Sequence, residues 1–340
     1  MRESLAALLV VGLVTWLSSG VEAQTPGEVF RKVAPSVVVI RAKGHEVATS
    51  GQTRFSETGS GGLISPHGKV MTAAHVVHAM DEITVEFLGG ETVKARVVAS
   101  EPAADLSLLQ LERVPTGAKS SPLANSDPIQ VGDPVIIVGA PYGLSHSLSA
   151  GLISARWKPN TVYKTMPLAE FFQTTATINT GNSGGPMFSS TGEVIGIVSH
   201  NISKSGGSEG LGFVVTINTA KKLLLEKRSF WGGPEGQVLT DEQADLLNLP
   251  PGSTGFIVKT IAKGSPAEAI GLRGATMVAS LGGDQVPLGG DIILAVEGIK
   301  AEAANLTKIR DLMSSKPVGS SYKVTVLRAG KVLELPGKVQ

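Results

Sequence analysis

Three residue types that together perform acyl transfer occur in this chain in surroundings that suit the chemistry. Ser183 sits within Gly181-Asn182-Ser183-Gly184-Gly185-Pro186. There the glycines let the backbone turn sharply and aim amide hydrogens at a reacting carbonyl. A serine hydroxyl is a weak nucleophile unless a base takes its proton and an acid orients that base. Upstream, Met71-Thr72-Ala73-Ala74-His75-Val76-Val77 offers an imidazole and Ala104-Asp105-Leu106-Ser107-Leu108-Leu109 a carboxylate. The implied chemistry is nucleophilic cleavage of a peptide bond.

Each residue also has a plainer explanation. His75 and His78 are spaced to share one helical face and bind zinc, but no HExxH motif accompanies them and no cysteine ligand exists. No metal is expected. Asp105 alone reads as a surface or capping acid, and 181–185 alone as a tight turn. Their joint occurrence, in the order His, Asp, Ser used by chymotrypsin and not by subtilisin or the α/β-hydrolases, favours the catalytic reading.

The elements that must position these groups are short apolar runs broken by Gly, Pro, Asn and Asp. Ser36-Val37-Val38-Val39-Ile40, Ile83 to Leu88, Val135 to Val138 and Glu193 to Val198 read as strands. Many short strands with few helical stretches imply a sandwich or barrel. Polar loops are expected over Lys43 to Thr58 and Ser203 to Glu209. A helix capped by Asn218 and running through Leu225 closes the first unit near Arg228. Beyond it the pattern changes: helices over Thr240 to Leu247, opened by a Thr240/Gln243 capping box, and over Ala303 to Ser314, then a final strand over Tyr322 to Arg328.

At 340 residues, with 42% hydrophobic and 17% charged, the chain supports about two cored domains and not a disordered one. A formal charge of +1 and 4% aromatics give no electrostatic or stacking reason to expect nucleic acid. Arg2, the apolar run Leu5 to Leu17 and the small residues up to Ala23 have the layout of a secretory signal peptide over 1–23, cut after Ala23. The run is shorter than the roughly 20 residues that span a bilayer, so a retained anchor is the minor alternative. Cysteine is absent, which excludes disulfides and lipid attachment through cysteine. A periplasmic or secreted location follows.

Several segments together resemble the HtrA/Deg family, trypsin-like serine proteases followed by PDZ domains. They are Gly59-Ser60-Gly61-Gly62-Leu63-Ile64, the stretches around His75 and Asp105, Ile178 to Pro186, Gly210 to Val215, Gly264 to Leu272 and Gly290 to Gly298. The resemblance implies an all-β, chymotrypsin-like double six-stranded barrel over 24–228 and a small α+β PDZ domain over 229–340. His75 would be the general base, Asp105 its orienter and Ser183 the nucleophile, with an oxyanion hole from the amides of Gly181 and Ser183. Departures from the family pattern are Thr180, Thr175 and Ala140; the first two lie on the loop that shapes the oxyanion hole and bear on regulation and resting activity rather than chemistry.

Thr177, Ile178, Ser199 and His200 would line the primary specificity pocket; without a carboxylate it should favour small or aliphatic side chains. Phe230, Trp231, Gly232 and Gly233 occupy the position of the carboxylate-binding loop, which captures peptide C-termini; packing between domains is the competing role for the two aromatics. The segment Gly274 to Gly289 reads as an inserted flexible loop. The family implies unfolded protein or peptide substrates and a homotrimer or higher oligomer, for which Phe30 is the aromatic candidate. No P-loop is present, so no nucleotide or other cofactor is expected. The alternative from another class is a latent protease acting as a chaperone or peptide sensor.

Overall fold

The computed structural model describes residues 24–339 except 50, 206, 228, 251, 252 and 282. The leader expected over 1–23 lies outside the described residues. Among those described, no helix is long and apolar enough to cross a membrane.

Two closed antiparallel barrels form the first part, as expected. Strands β1 (Val37–Ala48), β2 (Gly51–Leu63), β3 (Lys69–Thr72), β4 (Glu82–Phe87), β5 (Thr92–Glu101) and β6 (Leu106–Leu111) close in the order β1-β2-β3-β6-β5-β4. Strands β7 (Pro134–Gly139), β8 (Ser147–Trp157), β9 (Phe171–Thr174), β10 (Pro186–Ser189), β11 (Val194–Asn201) and β12 (Gly212–Thr216) repeat that topology. Each barrel is filled by its inward side chains, among them Ile40, Leu63 and Leu109 in the first and Ile137, Phe172 and Met187 in the second. A third apolar cluster, with Val37, Leu106, Phe171 and Phe188, lies along the seam and joins them. The site residues come from both sides of that seam.

Helix α1 (Pro26–Val33) precedes the barrels, opened by a capping box between Thr25 and Glu28. Its Phe30 packs partly buried against the seam cluster. Helix α2 (Ala74–Val77) is a single turn with no side-chain cap. Burial of Val76 and Val77 in the first barrel holds it and leaves His75 outward. Helix α3 (Ile217–Lys221) corrects the expected cap: Thr216 stands at the N-cap. The Asn218 side chain instead bonds Asn125 and the Ser126 amide.

The rest is a smaller α+β, PDZ-like unit. Its sheet runs β13 (Pro234–Val238), β14 (Phe256–Ile261), β17 (Ile292–Val296), β19 (Ser321–Arg328), β20 (Lys331–Lys338), with β18 (Ile299–Lys300) on β17. Helices α4 (Asp241–Leu246), α5 (Pro266–Ala269) and α6 (Leu306–Ser315) accompany it, and the predicted Thr240/Gln243 capping box is present.

Three expectations are corrected here. Strand β19 is not the last, because β20 follows. The supposed loop over 43–58 is a β-hairpin arm in which Ala48 pairs Gly51. Beyond Lys43 it pairs only with itself, and it buries Val47 and part of Phe55 while its other residues are mostly polar. The supposed flexible segment 274–289 forms a second hairpin, β15 (Met277–Leu281) and β16 (Asp284–Leu288). Val286 anchors it in a core with Leu239 and Ile257. The two hairpins meet where Gln52 Nε2 donates to the Ala275 carbonyl at 3.2 Å.

Candidate active site

His75 and Asp105 both come from the first barrel. His75 rides on α2, while Asp105 follows the 3-10 turn Pro102–Ala104 in the left-handed region, at φ 54°, which aspartate tolerates better than most residues. His75 Nδ1 lies 2.9 Å from Asp105 Oδ1 and 3.0 Å from Oδ2, and the His75 main-chain N–H donates to Oδ1 at 3.1 Å. The carboxylate is 7% exposed. Its burial would raise its pKa, but the bonds and charge from His75 and the bond from Ser199 outweigh that and hold it below the usual value. For His75, burial pulls downward, yet the bond and charge of Asp105, helped by Glu57, keep the ring above its ordinary value.

Ser183 lies on the turn entering β10, across the seam. Its hydroxyl donates to the Ser199 carbonyl at 3.3 Å, not to His75. The turn itself is tightly held. Tyr142 N–H donates to the Thr180 carbonyl at 2.7 Å, Asn182 N–H to Asn179 at 3.0 Å and Gly184 N–H to Val198 at 2.7 Å. In a trans peptide the carbonyl and the next N–H point opposite ways, so the Gly181 amide faces away from Tyr142. Among the described residues the amides of Gly181 and Ser183 have no protein acceptor. Gly181 adopts φ 99°, and a Cβ there would stand 2.2 Å from the Ala140 carbonyl oxygen. Only glycine fits.

The comparisons agree with this arrangement. The trypsin-like peptidase domain model matches residues 59–197. A probable periplasmic serine endoprotease, DegP-like, of Ectopseudomonas mendocina is 33% identical over 269 residues, covering 76% of this chain and 55% of that protein. The like-named protein of Hahella chejuensis is 32% identical, covering 71% of this chain and 52% of its own. The chain belongs to the HtrA/Deg family. It spans about half the length of these curated relatives. Among solved structures, a variant of the HtrA-type protease AlgW with a decapeptide is similar over 93% of this chain and 97% of its own, at 26% identity and a TM-score of 0.56.

The other predicted site residues of this HtrA/Deg chain divide. Thr177 is exposed and Ile178 is buried. The Ile178 side chain fills the space over Gly212, where a Cβ would lie 2.5 Å from its Cδ1. Ser199 is fully buried and its hydroxyl donates to Asp105 Oδ2. His200 turns into an aromatic cluster with Tyr163, Phe171 and Phe213. Phe230, Gly232 and Gly233 border a groove of about 760 Å³ between β13 and α6. Trp231 leaves that groove, packs on the first barrel and donates through Nε1 to the His78 carbonyl at 3.0 Å. Trp231 thus packs between the two parts of the molecule, while Phe230 borders the groove and stands edge-on to Tyr322.

His75 and His78 do not converge. The Nδ1 of His78 lies 2.8 Å from Ser100 Oγ, and no metal-holding cluster of His, Asp and Glu occurs among the described residues.

Two groups of functional neighbours were missed from sequence. Ser60 pins the nucleophile turn: its N–H donates to the Ser183 carbonyl at 2.8 Å and its hydroxyl to the Gly181 carbonyl at 2.7 Å, while Ala140 N–H donates to that hydroxyl. The signal was there, since Ser60 lies inside the quoted Gly59–Ile64 motif. Glu101, just before the Asp105 turn, faces Arg310 of α6 at 3.4 Å and closes one side of the groove. No local pattern marks that pairing.

Proposed function

We propose that the chain is a periplasmic or secreted, ATP-independent serine endopeptidase that cuts unfolded or misassembled proteins. In this reading 24–228 is the protease domain, 229–340 the PDZ domain and 1–23 a removed leader. The chain's likeness to relatives named periplasmic endoproteases supports the compartment and the reaction class. The observation that carries the chemistry is a buried carboxylate bonded to an imidazole, opposite a serine whose turn leaves two amides free.

The Ser183 hydroxyl turns from the Ser199 carbonyl toward His75 Nε2 and attacks the scissile carbonyl carbon as the imidazole takes its proton. Asp105 holds the ring through Nδ1 and stabilises the imidazolium. The oxyanion settles on the Gly181 and Ser183 amides. His75 then protonates the leaving amine as the C–N bond breaks, and water repeats the sequence to release the acyl group. Thr177 and Ile178 bring no carboxylate to the pocket, and Ile178 shortens it, which favours small or aliphatic side chains. The groove between β13 and α6 takes a peptide C-terminus as an added strand beside β13.

The decisive experiment is labelling with a fluorophosphonate, with the modified residue mapped by mass spectrometry. Ser183 alone should be modified, and Ser183→Ala should lose casein cleavage. Labelling elsewhere, or cleavage surviving in the variant, would refute the assignment.

A latent protease acting as a chaperone or peptide sensor is the second reading. It is favoured by the Ser183–Ser199 bond, which leaves the nucleophile disengaged. Casein cleavage with and without a hydrophobic C-terminal peptide separates the two: a latent enzyme cuts only with the peptide, and a chaperone in neither case.

A further inference from the structure

The structure gives His200 a place that neither a pocket wall nor a surface residue requires. Its ring sits with Tyr163 edge-on at 4.0 Å and Phe171 edge-on at 5.9 Å, while Phe213 stacks at 5.8 Å. Its Nδ1 lies 2.8 Å from Ser199 Oγ. The Ser199 hydroxyl has one proton, and it goes to Asp105 Oδ2. The contact with His200 is therefore a hydrogen bond only if Nδ1 carries the hydrogen and Ser199 accepts. That tautomer leaves Nε2 as a bare acceptor, and Nε2 is buried without a partner among the described residues. The cluster tolerates an empty acceptor on one side of the ring while keeping the donor on the other.

We propose that His200 is a positioning residue: its Nδ1–H fixes the Ser199 hydroxyl toward Asp105, so that the carboxylate stays charged and aligned on His75. This rests on the reading of His75, Asp105 and Ser183 as a catalytic set. The opposite tautomer would draw the Ser199 proton to His200 and strip Asp105 of a donor. Burial keeps the ring neutral, lowering its pKa to about 4 against the pull of Asp105, with the His75 charge lowering it further. Of the groups packed on it, Phe171 and Phe213 do not titrate, and burial pushes the Tyr163 phenol up to about 12. The segment 158–170 that carries Tyr163 also steadies the acid, since Leu168 N–H donates to the Ala103 carbonyl at 3.1 Å.

The test uses His200→Phe, which keeps an aromatic ring and removes the donor, and His200→Asn, which returns an N–H at the position of Nδ1. Rates are measured per Ser183 labelled by fluorophosphonate, so that misfolded protein does not count. His200→Phe should lower kcat roughly tenfold with KM little changed, the scale of one neutral hydrogen bond. Its acid limb in kcat/KM should also move up by about half a unit, because a carboxylate with fewer donors holds the imidazolium more strongly. His200→Asn should recover the limb position, and Ser199→Ala should shift it as His200→Phe does, without adding to it. A wild-type limb position in His200→Phe, at any rate, overturns the proposal while leaving the catalytic set intact. Failure of Ser183 to label in the wild type overturns both.

Discussion

The two barrels share one strand order and divide the candidate site between them, yet they hold their shares by different means. In the first barrel, His75 and Asp105 stand 30 positions apart and are bonded directly, by contacts that barrel supplies itself. In the second, the Ser183 turn is pinned by Ser60 of β2, a residue of the other barrel. The direct bonds of one half lie within one barrel, with Ser199 of the other barrel bracing its carboxylate, while the turn of the other half is pinned by docking. The His75–Asp105 bonds thus lie within one barrel, whereas the Ser183 turn is held across the seam.

The largest effects come from breaking either half at its centre. Asp105→Asn keeps shape and burial but supplies the wrong donor to His75 Nδ1. kcat should fall about 10⁴-fold, with the fold unchanged by circular dichroism. A loss under tenfold would mean that the first-barrel pair is structural. Gly181→Ala attacks the second half: its Cβ meets the Ala140 carbonyl, so the turn must move and its amide with it. An expected loss of about 10²–10³ in kcat, with KM nearly constant, matches one oxyanion donor. Unaltered kcat would remove Gly181 from the chemistry.

Ser60→Ala tests the difference between the halves more finely. It deletes a hydroxyl that bonds both the Gly181 carbonyl and the Ala140 amide, leaving two buried groups unsatisfied at a cost of about 1–3 kcal/mol. Ser183 labelling should slow markedly while the His75–Asp105 pair persists. The pair is followed by the downfield proton resonance of His75 Nδ1–H. Loss of that resonance would show that the first half also needs the seam.

What the sequence disclosed follows the same division. The Gly181–Pro186 turn and the α2 segment carry local geometry in their own residue types, so the motif and its backbone shape could be read together. The direction of a side chain on a strand is decided by what packs over it. Ile178 and His200 stood in the expected neighbourhood, yet one closes over Gly212 and the other turns into an aromatic cluster. The arm over 43–58 read as a loop because its inward positions include Gly44 and only two large apolar residues, Val47 and Phe55, too few to show an apolar alternation in the sequence. Glycines disguised β15 and β16, although Val286 anchors them. Thr25-Pro26-Gly27-Glu28 is a capping signature and marks the start of α1. The contact of Glu101 with Arg310 joins positions too far apart in the chain for any local pattern to pair.

The first-barrel half has a further neighbour, because α2 ends on His78, whose carbonyl holds Trp231. Burial lowers the His78 pKa to about 4, only partly offset by the Pro234 carbonyl. A depressed folded value means stability that is full above the unfolded pKa near 6.5 and is lost as pH falls toward 4. Roughly 3 kcal/mol is at stake. Acidification through that window should loosen the PDZ-like unit from the first barrel, seen as faster hydrogen exchange in 229–234. His78→Gln should abolish the dependence. Equal loosening in both proteins would place the acid sensitivity elsewhere.

The smallest expected effect is the position of the acid limb in wild-type kcat/KM. His75 must be neutral to accept the Ser183 proton, so activity falls as pH drops through its pKa. Burial alone would put that limb below the ordinary imidazole value of about 6.5, but the Asp105 bond and charge, with Glu57, reverse the direction. The limb should therefore lie above 6.5. Glu57→Gln should move it down by a fraction of a unit, since a half-buried charge that makes no bond to the ring is partly screened by solvent and salt. A limb below 6.5 would mean that desolvation outweighs the carboxylate. The first-barrel pair would then be less tightly coupled than its bond lengths imply, and its contrast with the seam-dependent serine would narrow to geometry alone.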